Sequence, residues 1–378
     1  MKSYKLGDVC DLSKGKTITR ATANEGEIPV IGGGLGPTYY NDVANRKPPV
    51  ITVSASGANA GFVNYWNIPI WASDCTTIVE KPNSPASIDY IYKYLQSRQE
   101  YINTELRRGS AQPHVYPSDI AELIIPLPSL EQQKEAVDKL DSAFAEIDLA
   151  TSDTIRSIQN LSNLLVSKLH EVFTMMEAKC GLVQSGTIID VRDGTHDSPG
   201  YVDSGYPLIT SKNLQEGLLD FSKVSFITEE DYEQINKRSK VDVGDLLFAM
   251  IGTIGNPVVV KEDPMFAIKN VALFKANPNY DMTFLSYYLR TPKIREKFER
   301  EAKGTTQRFL GLGYLRTFDI PNVPIKDQLE AVKKLQQFEN ELRKLETNLK
   351  QRLENFTKLK NSFMSSIFAI KFEEESVA

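Results

Sequence analysis

The chain has 378 residues, of which 41% are hydrophobic and 25% charged, with 22 Gly and 19 Pro. These proportions are ordinary for folded proteins, and they exclude disordered, collagen-like and low-complexity chains. The formal net charge of -5 argues against nonspecific binding of polyanions over the whole surface, but it leaves local basic patches possible.

The first predicted elements in chain order are short strands. Runs of β-branched and aromatic residues alternate with Gly, Pro and Asn turns as far as Pro128, a pattern typical of strands. The predicted strands include 28–31, 50–53 and 76–79, and one helix is predicted at about 88–106. After Pro128, apolar residues recur at helical spacing over about 45 residues, which predicts a long helix.

The second half of the chain repeats this order of elements. Within 181–324 the strand-like runs return at 246–249, 258–260 and 271–274, and one helix is predicted at about 283–302. A second long helical pattern follows. The order of elements therefore predicts two α+β globular portions, each followed by a long helix.

A common offset of 195 residues relates the two halves. Gly109-Ser110-Ala111-Gln112 falls on Gly304-Thr305-Thr306-Gln307, and 126–137 falls on 321–332 with Pro, Gln, Glu, Ala and Val retained. Chance would not keep one offset across a whole half of the chain, and the period is too long for a solenoid. The chain is therefore interpreted as two homologous halves.

The two long helices are predicted to pair with each other. Their apolar positions recur about every 3.5 residues, which is the spacing of a coiled-coil seam. At 1.5 Å per residue each helix is about 65 Å long, too long to be buried within one small domain. Because each helix leads out of its own globular portion, we expect an antiparallel pair with pseudo-twofold symmetry. The predicted seam positions are Val137, Leu140, Phe144, Ile147, Ile155, Ile158, Leu161, Leu165 and Val172, then Val332, Leu335, Phe338, Leu342, Leu345, Leu349, Leu353, Phe356, Leu359, Phe363 and Ile367.

Candidate motifs for catalysis fail on their spacing. Gly15-Lys16-Thr17 resembles the end of a phosphate-binding loop, but Cys10 stands where the first glycine is required. The glycine-rich run 32–36 is followed by Pro37, unlike a dinucleotide-binding turn. The sequence contains no Asn- or Asp-Pro-Pro-aromatic motif for methyl transfer, and its E-x-K sequences have no convincing partner aspartate. Because the three cysteines and three histidines have no metal-binding spacing, we predict no cofactor and no metal site.

Membrane segments are not predicted. No apolar run approaches the roughly 20 residues that span a bilayer, and the first residues lack the apolar core of a signal peptide. We therefore expect a cytoplasmic protein that has no membrane partner.

Loops of the globular portions mix cationic, amide, hydroxyl and aromatic side chains. This mixture suits nucleic-acid binding, because cations position the phosphates while amides and hydroxyls read base edges. Each loop alone could be ordinary solvated surface, and His196 could be a turn residue, but recurrence in both halves favours a functional role. The candidates in the first half are Lys14, Lys16, Thr17, Arg20, Tyr39, Ser56, Asn59, Arg107, Arg108, Ser110 and Gln112. Those in the second half are Arg192, Asp193, Thr195, His196, Ser211, Lys212, Asn213, Lys269, Thr305, Gln307 and Arg308.

Three segments resemble a known family. The helix entry Pro-Leu-Pro-Ser-Leu-Glu-Gln-Gln at 126–133, Arg-Asp-Gly-Thr-His-Asp-Ser-Pro at 192–199 and Pro-Leu-Ile-Thr-Ser-Lys-Asn-Leu at 207–214 are similar to the specificity subunit of type I restriction-modification enzymes. The resemblance covers essentially the whole chain. It departs from the family at Lys326-Asp327-Gln328, where the second helix entry lacks the first glutamine.

The resemblance implies a domain organisation and a function. Its domains would be target recognition domains at 1–128 and 178–324, coiled-coil helices at 129–177 and 325–372, and a tail at 373–378. Each recognition domain would read one half of a bipartite, asymmetric target in double-stranded DNA. The helices would set the spacer and dock two methyltransferase (modification) subunits, which carry the S-adenosylmethionine site, and restriction subunits could join that complex. This chain itself would be non-catalytic.

Two other functions stay open at this point. The chain could be a structural adapter with two protein-binding heads on a coiled-coil rod, or, against the missing motifs, a self-sufficient DNA methyltransferase or nuclease. Salt-dependent binding to DNA would separate recognition from an adapter role, because phosphate contacts weaken steeply with ionic strength. Titration with S-adenosylmethionine would test the enzyme.

Overall fold

The computed structural model describes residues 2–109, 111–215, 217–305 and 307–368. The chain divides into two compact units. Unit 1 combines Met1–Thr154 with Lys350–Ala378, and unit 2 is Ile155–Leu349. The predicted tail 373–378 and the last predicted helical residues, 369–372, lie outside the described residues.

The globular portion of unit 1 is built on a four-stranded antiparallel sheet of order β2-β8-β5-β6. A three-stranded sheet of order β4-β3-β7 and the antiparallel pair β1-β9 complete it. The strands are β1 (Lys2–Lys5), β2 (Cys10–Lys14), β3 (Ile28–Ile31), β4 (Pro37–Asn41), β5 (Val50–Ser54), β6 (Val63–Trp66), β7 (Trp71–Ala72), β8 (Cys75–Glu80) and β9 (Ile124–Leu127). The helices are α1 (Leu6–Val9), α2 (Ile88–Ser97), α3 (Gln99–Thr104), α4 (Pro117–Ala121) and α5 (Leu130–Cys180), of which α5 continues into unit 2.

The core of unit 1 lies between its four-stranded sheet and the helices. Every residue of β5 is buried, as expected for a central strand rich in β-branched residues. Ile91 and Leu95 of α2 are buried in the same cluster, together with Leu140 near the start of α5. The start of the long helix is therefore part of this core.

Unit 2 has an equivalent four-stranded sheet of order β11-β20-β17-β18. A second sheet of order β12-β16-β13-β19 and the pairs β10-β21 and β14-β15 accompany it. The strands are β10 (Leu182–Gln184), β11 (Val191–Asp193), β12 (Tyr201–Val202), β13 (Tyr206–Ile209), β14 (Leu214–Gln215), β15 (Leu218–Leu219), β16 (Ser225–Ile227), β17 (Leu246–Ala249), β18 (Gly255–Val259), β19 (Ala267–Ile268), β20 (Val271–Phe274) and β21 (Asp319–Pro321). The helices are α6 (Ser185–Ile188), α7 (Glu229–Ser239), α8 (Met282–Leu289), α9 (Pro292–Glu301), α10 (Leu312–Thr317) and α11 (Ile325–Phe368), of which α11 continues into unit 1.

Aromatic side chains fill the core of unit 2. Phe248 contacts Phe298, and Phe298 contacts Phe318, with ring centroids 5.2 and 4.8 Å apart. Phe173 of α5 joins this cluster through the ring of Phe284, 5.0 Å away. Such offset and edge-to-face pairs stabilise a core beyond the effect of area burial alone.

A buried glutamine ties each long helix to its globular portion. Gln133 accepts a hydrogen bond from the backbone N–H of Ser87, the residue that caps α2, and donates to the carbonyl of Pro128. Gln328 likewise accepts from the N–H of Asp281, the cap of α8, and donates to the carbonyl of Val323. Both side chains are 0% exposed. The second glutamine of the helix-entry motif is thus the one kept in both halves.

The prediction of one helix within each globular portion was wrong. The first is divided into α2 and α3, where the side chain of Gln99 binds the N–H of Val63 and the carbonyl of Gly61 and so holds the start of α3 against β6. The second is divided into α8 and α9 because Pro292 begins a new helix, and Thr291 before it is extended (ψ 144°).

The two long helices run antiparallel within each unit. In unit 1 the Lys360 ammonium lies 2.5 Å from the Asp148 carboxylate, and Leu140, earlier in α5, shares a cluster with Phe368, later in α11. In unit 2 Lys179, near the end of α5, lies 3.8 Å from Asp327 at the start of α11. The pseudo-twofold arrangement of the halves stays a prediction.

The predicted seam is only partly buried. Leu140 and Leu335 are 0% and 2% exposed, but Ile155, Leu345, Leu359 and Phe363 are 55%, 50%, 43% and 39% exposed. A straight helix drifts by about 20° per heptad against a 3.5-residue repeat, so the residues that face inward change along it.

Among the described residues, no helix has the length and apolar character that crossing a membrane requires.

Candidate nucleic-acid interface

Candidate loops of unit 1 meet at one end of its four-stranded sheet. The N–H of Gly15 donates to the carbonyl of Cys75 (2.8 Å), and that of Lys16 donates to the carbonyl of Ala72 (2.9 Å). A Cβ at Gly15 would lie 2.0 Å from the carbonyl oxygen of Ser73, so only glycine permits this approach. The 14–17 loop is therefore held against the segment that leads into β8.

Two further loops join at the same end. The Ser56 hydroxyl donates to the Asp74 carboxylate, and the N–H of Gly57 donates to the carbonyl of Pro113 (3.0 Å). Arg108 and His114 pair across the turn that contains Gln112. These bonds bring 55–57 and the described residues 107–109 and 111–114 next to the 14–17 loop.

The candidates of unit 1 differ in exposure. Lys14, Lys16, Thr17, Arg20 and Gln112 are exposed, whereas Ser56, Asn59 and Arg107 are half-buried. Arg108 is exposed but donates to the Asp119 carboxylate at 2.8 Å. The Tyr39 phenol donates to the carbonyl of Ile18, while its neighbour Tyr40 is 56% exposed. Ser110 lies outside the described residues.

In unit 2, candidate loops also meet at one end of the four-stranded sheet, but they carry different side chains. We call this end of each sheet, with its loops, the loop end. The N–H of Gly194 donates to the carbonyl of Val271 (2.9 Å), and that of Thr195 donates to the carbonyl of Ile268 (3.0 Å). A Cβ at Gly194 would lie 2.2 Å from the oxygen of Ile268. The Ser211 hydroxyl donates to the carbonyl of Asn270. The loops at 194–196, 209–213 and 268–270 are therefore neighbours.

The bridge between Lys303 and Phe309 in unit 2 corresponds to the bridge between Arg108 and His114 in unit 1. Gly304 and Gly109 both have positive φ, 96° and 90°. The N–H of Gly252 donates to the carbonyl of Arg308 (2.9 Å), as Gly57 does to Pro113 in unit 1. Thr305, Gln307 and Arg308 are exposed, and the Arg308 guanidinium also bonds to the carbonyl of Glu299.

Asp193 is buried beneath His196. One carboxylate oxygen accepts from the Arg238 guanidinium, and the other lies 2.9 Å from His196 Nε2. The second ring nitrogen, Nδ1, lies 2.8 Å from Asn270 Oδ1. These contacts raise the pKa of His196, first through the hydrogen bond with Asn270 and then through that with Asp193.

Other candidates of unit 2 also support the loops from within. Asn213 is buried, accepts from the N–H of Thr210 (2.9 Å) and donates to the carbonyl of Asp220. Arg192 pairs with Asp190 at 2.6 Å. The Lys269 ammonium lies 2.6 Å from the Ser198 hydroxyl. Lys212 is exposed, so of the cations at 192, 212 and 269 it is the one placed most openly on the surface.

Two supporting residues were missed by the sequence analysis. Asp74 binds Ser56, and in the structure its position before Cys75 matches that of Asn270 before Val271, whereas the sequence offset of 195 places it on the candidate Lys269. Arg238 binds Asp193 from α7, 45 residues away, and no local pattern points to that contact.

In the described ranges, no group of His, Cys, Asp or Glu is arranged to hold a metal ion.

Two α+β portions built alike, each joined to a long helix at a buried glutamine, define a chain made of two copies of one domain type. The sequence matches the type I restriction modification DNA specificity domain twice, at residues 1–160 and 167–355. The chain therefore belongs to the family of type I restriction-modification specificity subunits. Specificity subunits are the non-catalytic members of these systems, and this chain is one of them.

Curated relatives and solved structures agree with this family. The chain is 23% identical to the EcoBI specificity subunit of Escherichia coli, covering 90% of this chain and 77% of that protein. It is 22% identical to the MjaVIII specificity subunit of Methanocaldococcus jannaschii, covering 75% and 71%. A solved structure of a type I restriction-modification system matches with a TM-score of 0.72 at 16% identity over 97% of each chain. The HsdS subunit of Thermoanaerobacter tengcongensis matches with a TM-score of 0.57 at 16% identity, over 97% of this chain and 96% of that one. These two likenesses show the fold.

Proposed function

We propose that each globular portion reads one half of a bipartite, asymmetric target in double-stranded DNA. The observation that carries this proposal is the repeated loop end, in which Gly15 and Gly194 hold equivalent loops against equivalent sheets. The scaffold is the same in both units, but the side chains on it differ: unit 1 has the exposed Lys16 where unit 2 has the half-buried Thr195. Different side chains on a shared scaffold favour two different half-targets.

Recognition would combine two kinds of contact. Exposed cations such as Lys14, Lys16 and Lys212 bind phosphates and fix the register of the protein on the duplex. Amide groups such as those of Gln112 and Gln307, and hydroxyl groups such as that of Thr305, hydrogen-bond to base edges in the major groove. A good bidentate pair discriminates against the wrong base by about 1–3 kcal/mol.

We further propose that the long helices set the spacer and dock two methyltransferase subunits. A groove recurs where each helix pair leaves its globular portion. In unit 2 its volume is about 580 Å³ and its lining includes Val172, Asp327 and Ala331. In unit 1 it is about 490 Å³, and the equivalent positions are Ile367, Gln132 and Ala136. Two similar grooves suit two copies of one partner.

The assembly supplies what this chain lacks. S-adenosylmethionine would bind in the methyltransferase subunits, which perform methyl transfer, and restriction subunits would join the same complex. We place the complex in the cytoplasm, because the DNA it would modify lies there.

The test is methylation mapping in cells that express this chain with the modification subunit of its own system. Lys16→Ala should relax or weaken recognition of one half-target, and Lys212→Ala the other. Each lost phosphate contact should lower the salt slope of binding by about 1. Lys261→Ala, at an exposed position just after β18 and outside both the candidate loops and the long helices, is the matched control and should change neither.

Two results would overturn the proposal. One is a complex that binds DNA with the same affinity whatever its sequence, which would leave the adapter function. The other is a single substitution in unit 2 that relaxes both half-targets equally, because independent units require independent effects.

A further inference from the structure

The His196 ring joins two loops of unit 2. Its Nε2 lies 2.9 Å from Asp193 Oδ2 at the end of β11, and its Nδ1 lies 2.8 Å from Asn270 Oδ1 between β19 and β20. The side chain is nevertheless 53% exposed. The ring is therefore part of the proposed DNA-binding surface, but both of its nitrogens are already engaged.

Both partners of the ring are oxygen acceptors as placed. An ionised carboxylate only accepts, and the Asn270 amide presents its oxygen. A neutral imidazole has one N–H and can satisfy one of these acceptors, whereas an imidazolium donates to both. A neutral ring would keep two bonds only if the Asn270 amide turned to present its nitrogen.

The backbone around Asn270 is itself held in place. Asn270 has a φ of 56°, its N–H donates to the carbonyl of Thr195 (3.1 Å), and its carbonyl accepts from the Ser211 hydroxyl. Loss of the bond between His196 and Asn270 on deprotonation would therefore loosen the loops that carry Thr195, Ser211 and Lys269.

Two charged groups, one on β11 and one on α7, act on the ring, and a third lies in the neighbouring loop. Asp193 on β11 is buried and favours the imidazolium, while Arg238 on α7 opposes it and at the same time pairs with Asp193. The Lys269 ammonium, from the loop between β19 and β20, is bonded to the Ser198 hydroxyl. Asp193 thus holds a cation on each side, and the ring closes a chain of bonds from α7 to the loop at 268–270.

We propose that His196 is a positioning residue whose imidazolium form locks the loops at 193–198 and 268–270 together, so that unit 2 reads its half-target less well once the ring is deprotonated. This role rests on the proposed function and replaces the direct contact with DNA that the sequence predicted for His196. Its expected sign follows from the raised pKa of His196. The locking is complete below the ordinary histidine pKa of about 6.5 and is lost as the pH rises through the higher value of the folded protein.

Binding should be measured on the full chain assembled with its methyltransferase subunits, between pH 6 and pH 8.5. The probes are a duplex with the complete target and duplexes with either half-target scrambled. We expect affinity for the complete target to fall by up to about tenfold with rising pH, since one pKa unit of difference between states is tenfold in affinity. The duplex that lacks the half-target of unit 2 should show no such fall.

Three variants separate positioning from general structure. His196→Gln should bind weakly with a flat pH profile, and His196→Lys, which stays charged, should restore part of the affinity with a flat profile. His170→Gln, at an exposed position of α5, should keep the profile of the unchanged protein. A parallel loss of affinity with pH in the unchanged protein and in His196→Gln would overturn the proposed role.

Ring ionisation can be measured without DNA. The chain has only three histidines, so NMR of histidine ring carbons in the full chain can assign His196 through its loss in His196→Gln. Its titration midpoint should lie above 6.5, the ordinary value, and Asn270→Gly, which tolerates the positive φ, should lower it. A midpoint at or below the ordinary value would overturn the locking role. Absence of sequence-dependent binding at every pH would instead overturn the proposed function.

Discussion

At the scale of single residues, two glycines determine where the candidate loops lie. At Gly15 and Gly194 the nearest obstacle to a Cβ is a backbone carbonyl, which cannot move aside as the end of a flexible side chain could. The same requirement recurs in both units although the neighbouring residues differ. The close approach is therefore a property of the shared scaffold, and it leaves the adjacent side chains free to vary.

Replacing Gly194 by alanine should damage unit 2 in particular. We expect Gly194→Ala to lower the free energy of unfolding by about 1–3 kcal/mol, as for other overpacked sites, and to weaken recognition of one half-target only. Urea denaturation and methylation mapping measure the two effects.

Gly313→Ala is the matched control for this substitution. Gly313 lies in α10, and outside the local helix backbone no described atom lies within 4 Å of the added Cβ. Alanine there should leave stability unchanged or raise it by up to about 1 kcal/mol, because glycine is costly within a helix. Equal losses in the two variants would show that the contact at Gly194 has no special effect.

At the scale of elements, the long helices depend on the glutamines that join them to the globular portions. Gln133 and Gln328 each satisfy a helix-capping N–H and a carbonyl of the proline-rich boundary. Because both amides are fully buried, no water can replace these bonds. The second helix entry has Asp327 where the first has Gln132. This difference leaves the contact of the buried glutamine intact, because Gln132 is exposed.

Gln328→Ala should therefore be costly. Removing the side chain leaves a buried donor and a buried acceptor unpaired, and we expect the free energy of unfolding to fall by about 1–3 kcal/mol. Gln159→Ala, at an exposed position of α5, should change it by no more than about 0.5 kcal/mol. Thermal and urea unfolding measure both, and similar values for the two variants would contradict the role of the buried amide.

At the scale of the whole molecule, the proposed function makes the helices the ruler for the spacer. Inserting seven residues into both helices, near Ile155 and near Lys350, adds about 10 Å to each and turns it by only about 20°. Ile155 itself is largely exposed, although its neighbour Thr154 is buried. We expect a folded, active complex whose unread spacer is about three base pairs longer, at 3.4 Å per pair.

A three-residue insertion at the same places serves as the control. It leaves the helix faces about 60° out of register at 3.6 residues per turn, so pairing and activity should suffer. Methylation mapping gives the spacer directly. An active seven-residue variant that keeps the original spacer would show that the helices only dock partners.

The sequence by itself determined the repeat, the two α+β portions that are each followed by a long helix, and the family. Strands 28–31, 246–249 and 271–274 coincide with β3, β17 and β20, and both long helices lie where the periodicity placed them. These features follow from local patterns of apolar residues, prolines and glycines. The common offset of 195 adds long-range information because it compares the chain with itself.

Only the tertiary structure decided what each loop residue does. Lys212 is exposed whereas Asp193 and Asn213 are buried, and Tyr39 is bonded while Tyr40 is free of the core. The residue types of a loop do not show which of its polar side chains are exposed and which are buried. The decisive partners, such as Arg238 for Asp193, come from segments far along the chain, and burial there depends on packing that no local pattern contains.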